Sequence, residues 1–290
     1  MYVALRLGIA LVRVVPYAWL HALAGLLGEL RFHLATGRRA TVLTNLRQVV
    51  GPAASEARLM AMARQVFRHA ARNYLDALTV ATQSLEQVNA RIEVQGIDAL
   101  FAALEEGHGA ILVAPHMGNM DVLVQYLALR KVPITVPVEH MKPERLYRFL
   151  YELRTRFGVR LLPLDKNLTG ELLACLRRNE VVGLVCDRVL GETGVHVPFF
   201  GRPALLPLGP ALLALRSGAP LLGAHAERLP GGRTRGHLLP AVHARKGGGL
   251  RLAQAAAMGQ VAGLLEEQIR DHPEQWTVFV PIWGAEAAGQ

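Results

Sequence analysis

The sequence is poor in cysteine and serine, the residues that build disulfide scaffolds and serine-dependent active sites. Only two cysteines, Cys175 and Cys186, and three serines occur in 290 residues. Neither cysteine has a His or a second Cys at metal-ligand spacing, so we expect two buried thiols, no disulfide and no metal. No Gly-x-Ser-x-Gly motif is present, which argues against a nucleophilic serine. We therefore expect neither a covalent enzyme intermediate nor a bound cofactor.

Acidic residues are also in short supply. Lys and Arg total 32 against 23 Asp and Glu, which gives a net charge of +9 and an isoelectric point near 10.1. Such a charge indicates attraction to anionic surfaces or phosphorylated ligands. Nucleic acid is the rival partner, but the basic residues are dispersed, aromatic residues rarely interleave with them, and no nucleic-acid-binding signature is present. We expect anionic lipid headgroups and an acyl-thioester carrier as partners, and no nucleic acid.

A long apolar span is missing at the N-terminus, although residues 2–34 are mostly Leu, Ala, Val and Gly. The apolar run from Val14 to Gly28 is shorter than the roughly 20 residues that cross a bilayer, and Pro16 bends it or begins a new helix. We predict an uncleaved helix or helix pair that lies in, or partly through, the cytoplasmic face of the membrane. A charged start before an apolar run is also typical of a signal peptide, but no convincing small-residue cleavage site follows it. A buried helical hairpin is the alternative.

The sequence pattern changes near residue 92. Two helices are predicted before that point, over residues 38–49 and 57–81. After it, apolar strands alternate with helices, which predicts an α/β fold with a central, largely parallel sheet flanked by helices. The predicted strands are 92–94, 110–114, 134–138, 159–163, 181–186, 221–227, 237–242 and a late edge strand, 278–282; the predicted helices are 97–106, 120–129, 144–157, 168–177, 207–217 and 253–270. We divide the chain into an N-terminal helical, membrane-associating part, 1–91, and an α/β core, 92–290, within one structural domain.

The segment AILVAPHMGNMD, residues 110–121, carries the main candidate for chemistry. A short apolar strand runs into a turn with His116, and a helix starts near Asn119, so Asp121 in its first turn is predicted to face His116. A His held by a carboxylate suits a general base for a hydroxyl. Gly118 allows close backbone approach, and the N–H groups at the helix start are candidate oxyanion donors. The alternatives are a surface turn with an Asp that favours the helix dipole, and an Asn119 that only caps the helix.

These residues resemble the His-x4-Asp box of the glycerolipid acyltransferase superfamily. The His-x-Gly-Asn form resembles the bacterial lipid A late acyltransferases and the phosphatidylinositol mannoside acyltransferases. Other segments match that branch in order, namely Arg38-Arg39 with Asn45-Leu46, Asp187-Arg188 followed by VPFFG at 197–201, and HPEQW at 272–276. The resemblance covers nearly the whole chain, and residues 209–222 look closer to the mannoside branch. The sequence departs from the pattern at Met120, usually aromatic in the family, and at His196, often acidic in the mannoside branch.

The resemblance implies a membrane-associated O-acyltransferase. Such an enzyme moves a fatty acyl group from acyl-CoA or acyl carrier protein to a hydroxyl of a phosphorylated glycolipid, of the lipid A or phosphatidylinositol mannoside type. His116 would be the base and Asp121 its orienting partner. The implied location is the cytoplasmic face of the bacterial inner membrane, peripheral or with a single N-terminal anchor, and we expect a monomer. A lipid or thioester hydrolase and a non-catalytic lipid-binding protein are the alternatives.

Two candidate binding positions follow predicted strands. Asp187 and Arg188 should emerge at the carboxyl edge of the sheet, where open α/β sheets bind ligands, and Arg188 is suited to a phosphate. A purely structural Asp187–Arg188 network is the alternative. Glu139 follows another strand and resembles an acidic position in the mannoside branch, where it would bind sugar hydroxyls or support His116; otherwise it is a loop acid.

The remaining candidates are basic or aromatic. Arg154 and Arg156 lie near a helix end, and similar residues in the family lie near the active-site groove, although a solvated helix end explains them nearly as well. Phe199 and Phe200 are candidates for lining an acyl channel, and we expect at least one of them to be a core residue. Trp276 is expected to pack on the core.

Overall fold

The computed structural model describes residues 15–80, 83–140, 144–155, 158–189, 194–245, 247 and 249–284. Four helices precede the sheet: α1 Tyr17–Leu34, α2 Thr36–Val50, α3 Glu56–Val80 and α4 Leu85–Asn89. The helices predicted at 38–49 and 57–81 correspond to α2 and α3 within two residues at each end. The predicted membrane segment therefore falls partly on α1 and partly on residues 1–14, which lie outside the described residues.

The rest of the chain alternates strands and helices. The strands are β1 Ile92–Gln95, β2 Ala110–Ala114, β3 Ile134–Val138, β4 Arg160–Pro163, β5 Val181–Val185, β6 Val195–Phe199, β7 Arg202–Leu206, β8 Leu221–Arg228 and β9 Thr234–Leu238. The helices are α5 Ile97–Glu105, α6 Met120–Leu129, α7 Glu144–Thr155, α8 Leu168–Arg177, α9 Gly209–Ser217 and α10 Leu250–Asp271, with short 3-10 turns at Pro230–Gly232 and Pro273–Gln275.

Seven of these strands form one sheet, in the order β1-β9-β8-β2-β5-β3-β4. Every neighbouring pair is parallel except β8 and β9. Each residue of the central strand β2 is buried, as expected where helices cover both faces of a parallel sheet. The predicted α/β class with a largely parallel sheet flanked by helices is confirmed.

Each face of the sheet has its own apolar core. One face packs against α8, α9 and α10 through residues such as Leu172, Leu213 and Leu265. The other face packs against α5 and α6, where Leu100 and Leu123 are buried. With both faces covered, the strand ends are left as the part of the sheet open to a ligand, as in other open α/β sheets.

Three local predictions differ from the structure. The partner of β8 is residues 234–238 rather than 237–242, and residues 195–206 form an unpredicted antiparallel hairpin, β6–β7. Residues 278–282 form no strand. Val278 and Ile282 are buried, but this extended segment is tied to helix α2 instead of a strand, since the Asn45 side chain bonds to the Val280 carbonyl and the Ile282 amide. The apolar residues of this segment are typical of a strand in sequence, although they are buried without strand pairing.

Helix α1 has one buried and one exposed apolar face. Gly28 brings α1 close to α3, because a Cβ there would lie 2.6 Å from the carbonyl oxygen of Phe67. The opposite face exposes a row of large apolar side chains: Trp19, Leu23, Leu26, Leu27, Leu30 and Leu34. Among the described residues, none of the helices combines the length and apolar character needed to cross a membrane. The chain therefore presents an apolar stripe, which we call the α1 stripe, on a helix that packs on the protein by its other side.

Candidate active site

The register of two adjacent strands sets the centre of the site. In the β2–β5 pair, Ala114 lies opposite Val185. Two residues further along each strand direction come His116 and Asp187, which therefore leave the sheet at the same level of its carboxyl edge. This placement follows from parallel pairing alone, and it lets the two side chains meet across a sequence separation of 71 residues.

The His116 ring is bonded to a buried carboxylate. Its Nδ1 lies 2.5 Å from Oδ1 of Asp187, and the backbone N–H of His116 donates to Oδ2 at 2.8 Å. Burial acts to raise the pKa of Asp187, but the charge of His116 and the donors around the carboxylate outweigh it and hold that pKa below its ordinary value. Asp187 is therefore an anion that fixes the ring through Nδ1. The ring itself is 34% exposed, and among the described residues no hydrogen-bond partner contacts its Nε2.

Residues 275–277, which follow α10 and which we call the brace, hold His116 and Asp187 in place. The Trp276 indole N–H donates to Oδ2 of Asp187 at 2.7 Å. Thr277 donates both its backbone N–H and its hydroxyl to the His116 carbonyl, at 2.8 and 3.0 Å. The carbonyl of Gln275 accepts from the amide of Gly118. The turn that carries His116, residues 115–119, is thus held by three consecutive residues, 275–277, of a distant part of the chain.

Gly118 is required by its position against strand β8. Its φ is +55°, and a Cβ there would overlap the carbonyl oxygen of Ala226. The same carbonyl accepts from the amide of Asn119. Because the amides of Gly118 and Asn119 both donate to backbone carbonyls, they are not free to bind an oxyanion. The predicted oxyanion donors at the helix start, which lies beyond these two residues, stay a prediction. Asn119 occupies the N-cap position of α6 but makes no side-chain capping bond.

Asp121 has a different partner from the predicted one. Both of its oxygens accept from Arg154, with Nε at 2.7 Å and a terminal nitrogen at 3.2 Å. The charge of Asp121 raises the pKa of Arg154 above its ordinary value. Hence the predicted His116–Asp121 pair is corrected to two pairs, His116–Asp187 and Asp121–Arg154. The reason is that the helix begins after Asn119 and carries Asp121 toward α7, while Asp187 already occupies the ring nitrogen.

The other polar candidates surround this centre loosely. Arg188 is partly exposed, and within the described residues no hydrogen bond or ion pair involves it. Glu139 is exposed beyond the end of β3. Arg156 lies outside the described residues. Arg188 and Glu139 therefore stay predictions that rest on their places at the carboxyl edge.

The two phenylalanines have different surroundings. Phe199 is fully buried and stacks on Trp283 with ring centroids 5.6 Å apart, so the structure places it in the core. Phe200 is partly buried, adopts a φ of +48°, and lies under the guanidinium of Arg270. Phe199 is thus the core residue expected of at least one of the two, and the acyl-channel role of Phe200 stays a prediction.

Alternative chemistry at the site finds little support in the described residues. Burial, and then the charge of Asp187, raise the pKa of the Cys186 thiol well above its ordinary value, so this buried thiol stays protonated. Cys175 is also buried and free. In the part of the chain that the structure describes, no three His, Cys, Asp or Glu side chains are arranged to hold a metal ion.

Sequence reasoning singled out His116 and Asp187 as candidates, but it missed their pairing and the contacts that residues 275–277 make with them. The signal for the pairing was present, since both residues follow strands predicted to end at one edge. The sequence pattern does not predict the order of the strands in the sheet, which places β5 next to β2. The HPEQW segment was assigned to packing, and nothing local in its sequence indicates that Trp276 would reach Asp187.

Comparison with known proteins shows the family of the chain. The chain matches the model of a family described as bacterial lipid A biosynthesis acyltransferase over residues 2–284. It is 34% identical over 262 residues to a phosphatidylinositol mannoside acyltransferase of Mycobacterium tuberculosis, covering 88% of this chain and 80% of the relative. A phosphatidylinositol mannoside acyltransferase of Mycolicibacterium smegmatis is 31% identical over 288 residues, which covers 98% and 91% of the two chains. These matches confirm the resemblance predicted from the ordered motifs.

Proposed function

Because the chain belongs to the bacterial lipid A biosynthesis acyltransferase family and is an acyltransferase, we propose that it moves a fatty acyl group from a thioester donor to a hydroxyl of a phosphorylated glycolipid. The observation that carries this proposal is the His116 ring, held through Nδ1 by the buried Asp187 and partly exposed on its other side. That arrangement gives a base of fixed orientation at the open edge of the sheet.

The proposed reaction is a direct transfer. Nε2 of His116 takes the proton of the acceptor hydroxyl while the hydroxyl oxygen attacks the thioester carbonyl. The tetrahedral intermediate collapses, its carbon–sulfur bond breaks, and the departing thiolate takes the proton back from His116. An ester and a free thiol leave the site. Asp187 remains charged throughout and stabilises the imidazolium that forms between the two steps.

The donor and acceptor follow from charge and from the relatives. An acyl-CoA and an acyl carrier protein both present an anionic carrier with a thioester, which suits a chain of net charge +9. The two relatives are named for phosphatidylinositol mannoside, so we place the acceptor in that class. Arg188 comes directly after Asp187 in sequence and is partly exposed, which suits a phosphate of either substrate.

The test is a transfer assay with purified protein, phosphatidylinositol mannoside in mixed micelles, and a panel of acyl-CoA and acyl carrier protein donors of several chain lengths. Wild type should form the acylated lipid, and His116→Ala should lose the activity by at least about a hundredfold. The exposed His108, changed to Ala, is the matched control and should stay active. Free fatty acid formed at the same rate without acceptor would favour the hydrolase. Donor binding without turnover would favour a lipid-binding protein.

Association with the cytoplasmic face of the inner membrane belongs to the same proposal. It is supported by the α1 stripe, whose Leu26 and Leu30 are 67% and 55% exposed one helical turn apart. Exposed apolar side chains in a row on one helix face suit insertion at a lipid surface. The α1 helix thus supplies a contact with the lipid phase in which the acceptor is dissolved.

A vesicle assay tests the α1 stripe with a matched control. Leu26→Gln with Leu30→Gln should reduce sedimentation with anionic phospholipid vesicles several-fold, since two apolar side chains are lost from the contact. Leu250 and Leu252, 68% and 66% exposed at the start of α10, provide the control when both are changed to Gln. Equal binding by the two double variants would remove α1 as the contact.

A further inference from the structure

We infer that Trp276 is a positioning residue for the transfer reaction, whose indole N–H fixes one oxygen of Asp187 so that the other stays on the His116 ring. This inference rests on the function proposed above, because it assigns Trp276 a part in setting the basicity of His116. It goes beyond core packing, the role expected of a buried Trp in a C-terminal segment.

The geometry divides the carboxylate of Asp187 between its two oxygens. Oδ1 takes the His116 ring at 2.5 Å. Oδ2 takes two donors, the backbone N–H of His116 at 2.8 Å and the Trp276 indole at 2.7 Å. Asp187 has 0% exposure, so bulk water does not supply a substitute donor. Rotation of the carboxylate would break all three bonds, and this locks the plane in which Oδ1 meets Nδ1.

Removal of the indole N–H should change the His116 base in a specific direction. With one donor fewer, the negative charge of Asp187 is less stabilised by hydrogen bonds. The carboxylate then attracts the Nδ1 proton of His116 more strongly, and the imidazolium form gains stability. Consequently His116 would hold its proton to higher pH, and the fraction of active base at low pH would fall. The freed carboxylate would also orient the ring less well, which lowers the rate at every pH.

A second tryptophan provides a matched control. Trp283 is 6% exposed, compared with 2% for Trp276, and the two rings contact each other with centroids 6.2 Å apart. Its indole N–H also makes one hydrogen bond, to the carbonyl of Phe199 at 3.0 Å. A change of either tryptophan to Phe therefore removes a similar ring and one hydrogen bond from the same aromatic cluster. Only Trp276 contacts the Asp187 carboxylate.

The experiment measures kcat/KM against pH, by thiol release from an acyl-CoA with the glycolipid acceptor, for wild type, Trp276→Phe, Trp283→Phe and His116→Ala. We expect Trp276→Phe to lose about tenfold at its optimum and to move the acid limb up by about half to one pH unit. Trp283→Phe should keep the wild-type limb, whatever its stability. A Trp276→Phe limb that coincides with wild type would overturn the inference. Transfer by His116→Ala at the wild-type rate would instead overturn the proposed function.

A double-mutant cycle tests whether Trp276 acts through Asp187. In an Asp187→Asn background, Trp276→Phe should cost less than about twofold, because the charge that the indole stabilises is already gone. An additive, tenfold cost in that background would show that Trp276 acts by another route, and the inference would be wrong.

Nuclear magnetic resonance gives a measurement that needs no Trp276 variant to fold. The chain has three tryptophans, so a 15N-labelled sample gives three indole N–H resonances. We expect Asp187→Asn to move one of them strongly and to leave the other two in place, since one indole alone donates to that carboxylate. Three unchanged resonances would contradict the inference.

Discussion

The two ion pairs near the carboxyl edge of the sheet differ in how they are built. Asp187 is fully buried and receives donors from the His116 ring, the His116 backbone and the Trp276 indole. Asp121 and Arg154 are 25% and 33% exposed and are joined mainly to each other. The first pair is fixed by packing and by a distant segment, whereas the second lies at a partly solvated surface.

This difference shows that separation along the chain is a poor guide to which carboxylate contacts His116. Asp121 is five residues from His116 and points to Arg154, while Asp187 is 71 residues away and holds the ring. Short separations at a strand-to-helix turn allow many side-chain directions. Adjacent parallel strands instead fix the level at which their following residues emerge. The comparison therefore predicts unequal effects from equal substitutions in the two pairs.

The largest difference is expected when each aspartate is changed to Asn. Asp187→Asn should reduce kcat/KM by about a thousandfold, because a neutral amide neither stabilises the imidazolium nor selects the tautomer with a free Nε2. Asp121→Asn should cost on the order of tenfold, since Arg154 contacts it in place of His116. Both rates come from the transfer assay with each variant checked for folding. A greater loss for Asp121→Asn would reverse the comparison and restore the partner predicted from sequence.

Backbone rigidity of the two regions can be compared at two glycines. Gly118→Ala should lower the free energy of unfolding by about 3 kcal/mol or more, because its Cβ would overlap the Ala226 carbonyl at a positive φ. Gly158, between α7 and β4, also has a positive φ but open space around it, so Gly158→Ala should cost about 1 kcal/mol. Denaturant unfolding of both variants measures the difference. Similar losses would mean that the backbone of residues 115–119 shifts easily to make room for the added Cβ.

The burial of His225, on strand β8 next to Ala226, should also appear in the pH dependence of stability. Burial, followed by the charges of His237 and His272, lowers the pKa of His225 from 6.5 to about 3. As the pH falls below 6.5, His225 binds a proton in the unfolded chain but not yet in the folded chain. Its contribution to the free energy of unfolding is therefore complete above pH 6.5 and falls as the pH drops toward 3. Between pH 7 and 5, wild type should lose about 2 kcal/mol more than His225→Gln. His108→Gln, at an exposed site, is the control, and equal losses in wild type and His225→Gln would place His225 in solvent.

The smallest effect is expected at the exposed pair. Arg154→Gln should change the free energy of unfolding by less than about 1 kcal/mol, because a partly solvated ion pair contributes little. Thermal melts at low and high salt measure this, and the wild-type value should move toward the variant as salt screens the pair. A loss of several kcal/mol would show that Asp121 is held as tightly as Asp187.

Sequence reasoning predicted most of the fold because strands and helices leave local signals. β2 reads as an apolar run with a turn at Pro115, and the observed strand agrees at both ends. A strand prediction was wrong where an apolar segment is buried for a reason other than pairing with a neighbouring strand. Val278 and Ile282 are buried in the core, but residues 278–282 form no strand, and the Asn45 side chain bonds to the backbone of Val280 and Ile282.

The candidate site was predictable as far as single residues go. The turn after β2 points to His116, and the end of a predicted strand points to Asp187. Their contact, however, depends on the order of the strands in the sheet, which the local sequence pattern does not predict. The brace could not be predicted for the same reason, since Trp276 and Thr277 contact residues that lie 89 and 161 positions away in the sequence. Whether His116 is the base, and whether Asp121 takes part, stay predictions for the assays above.

The long-range brace has a consequence for how the protein is made. Thr277 follows His116 by 161 residues, and a ribosome that adds about 5 to 20 residues per second needs roughly 8 to 30 s for that stretch. During this time the nascent chain carries the histidine without Trp276 and Thr277, and at first also without Asp187, which follows it by 71 residues. The arrangement around His116 is therefore complete only when residues 275–277 have been synthesised.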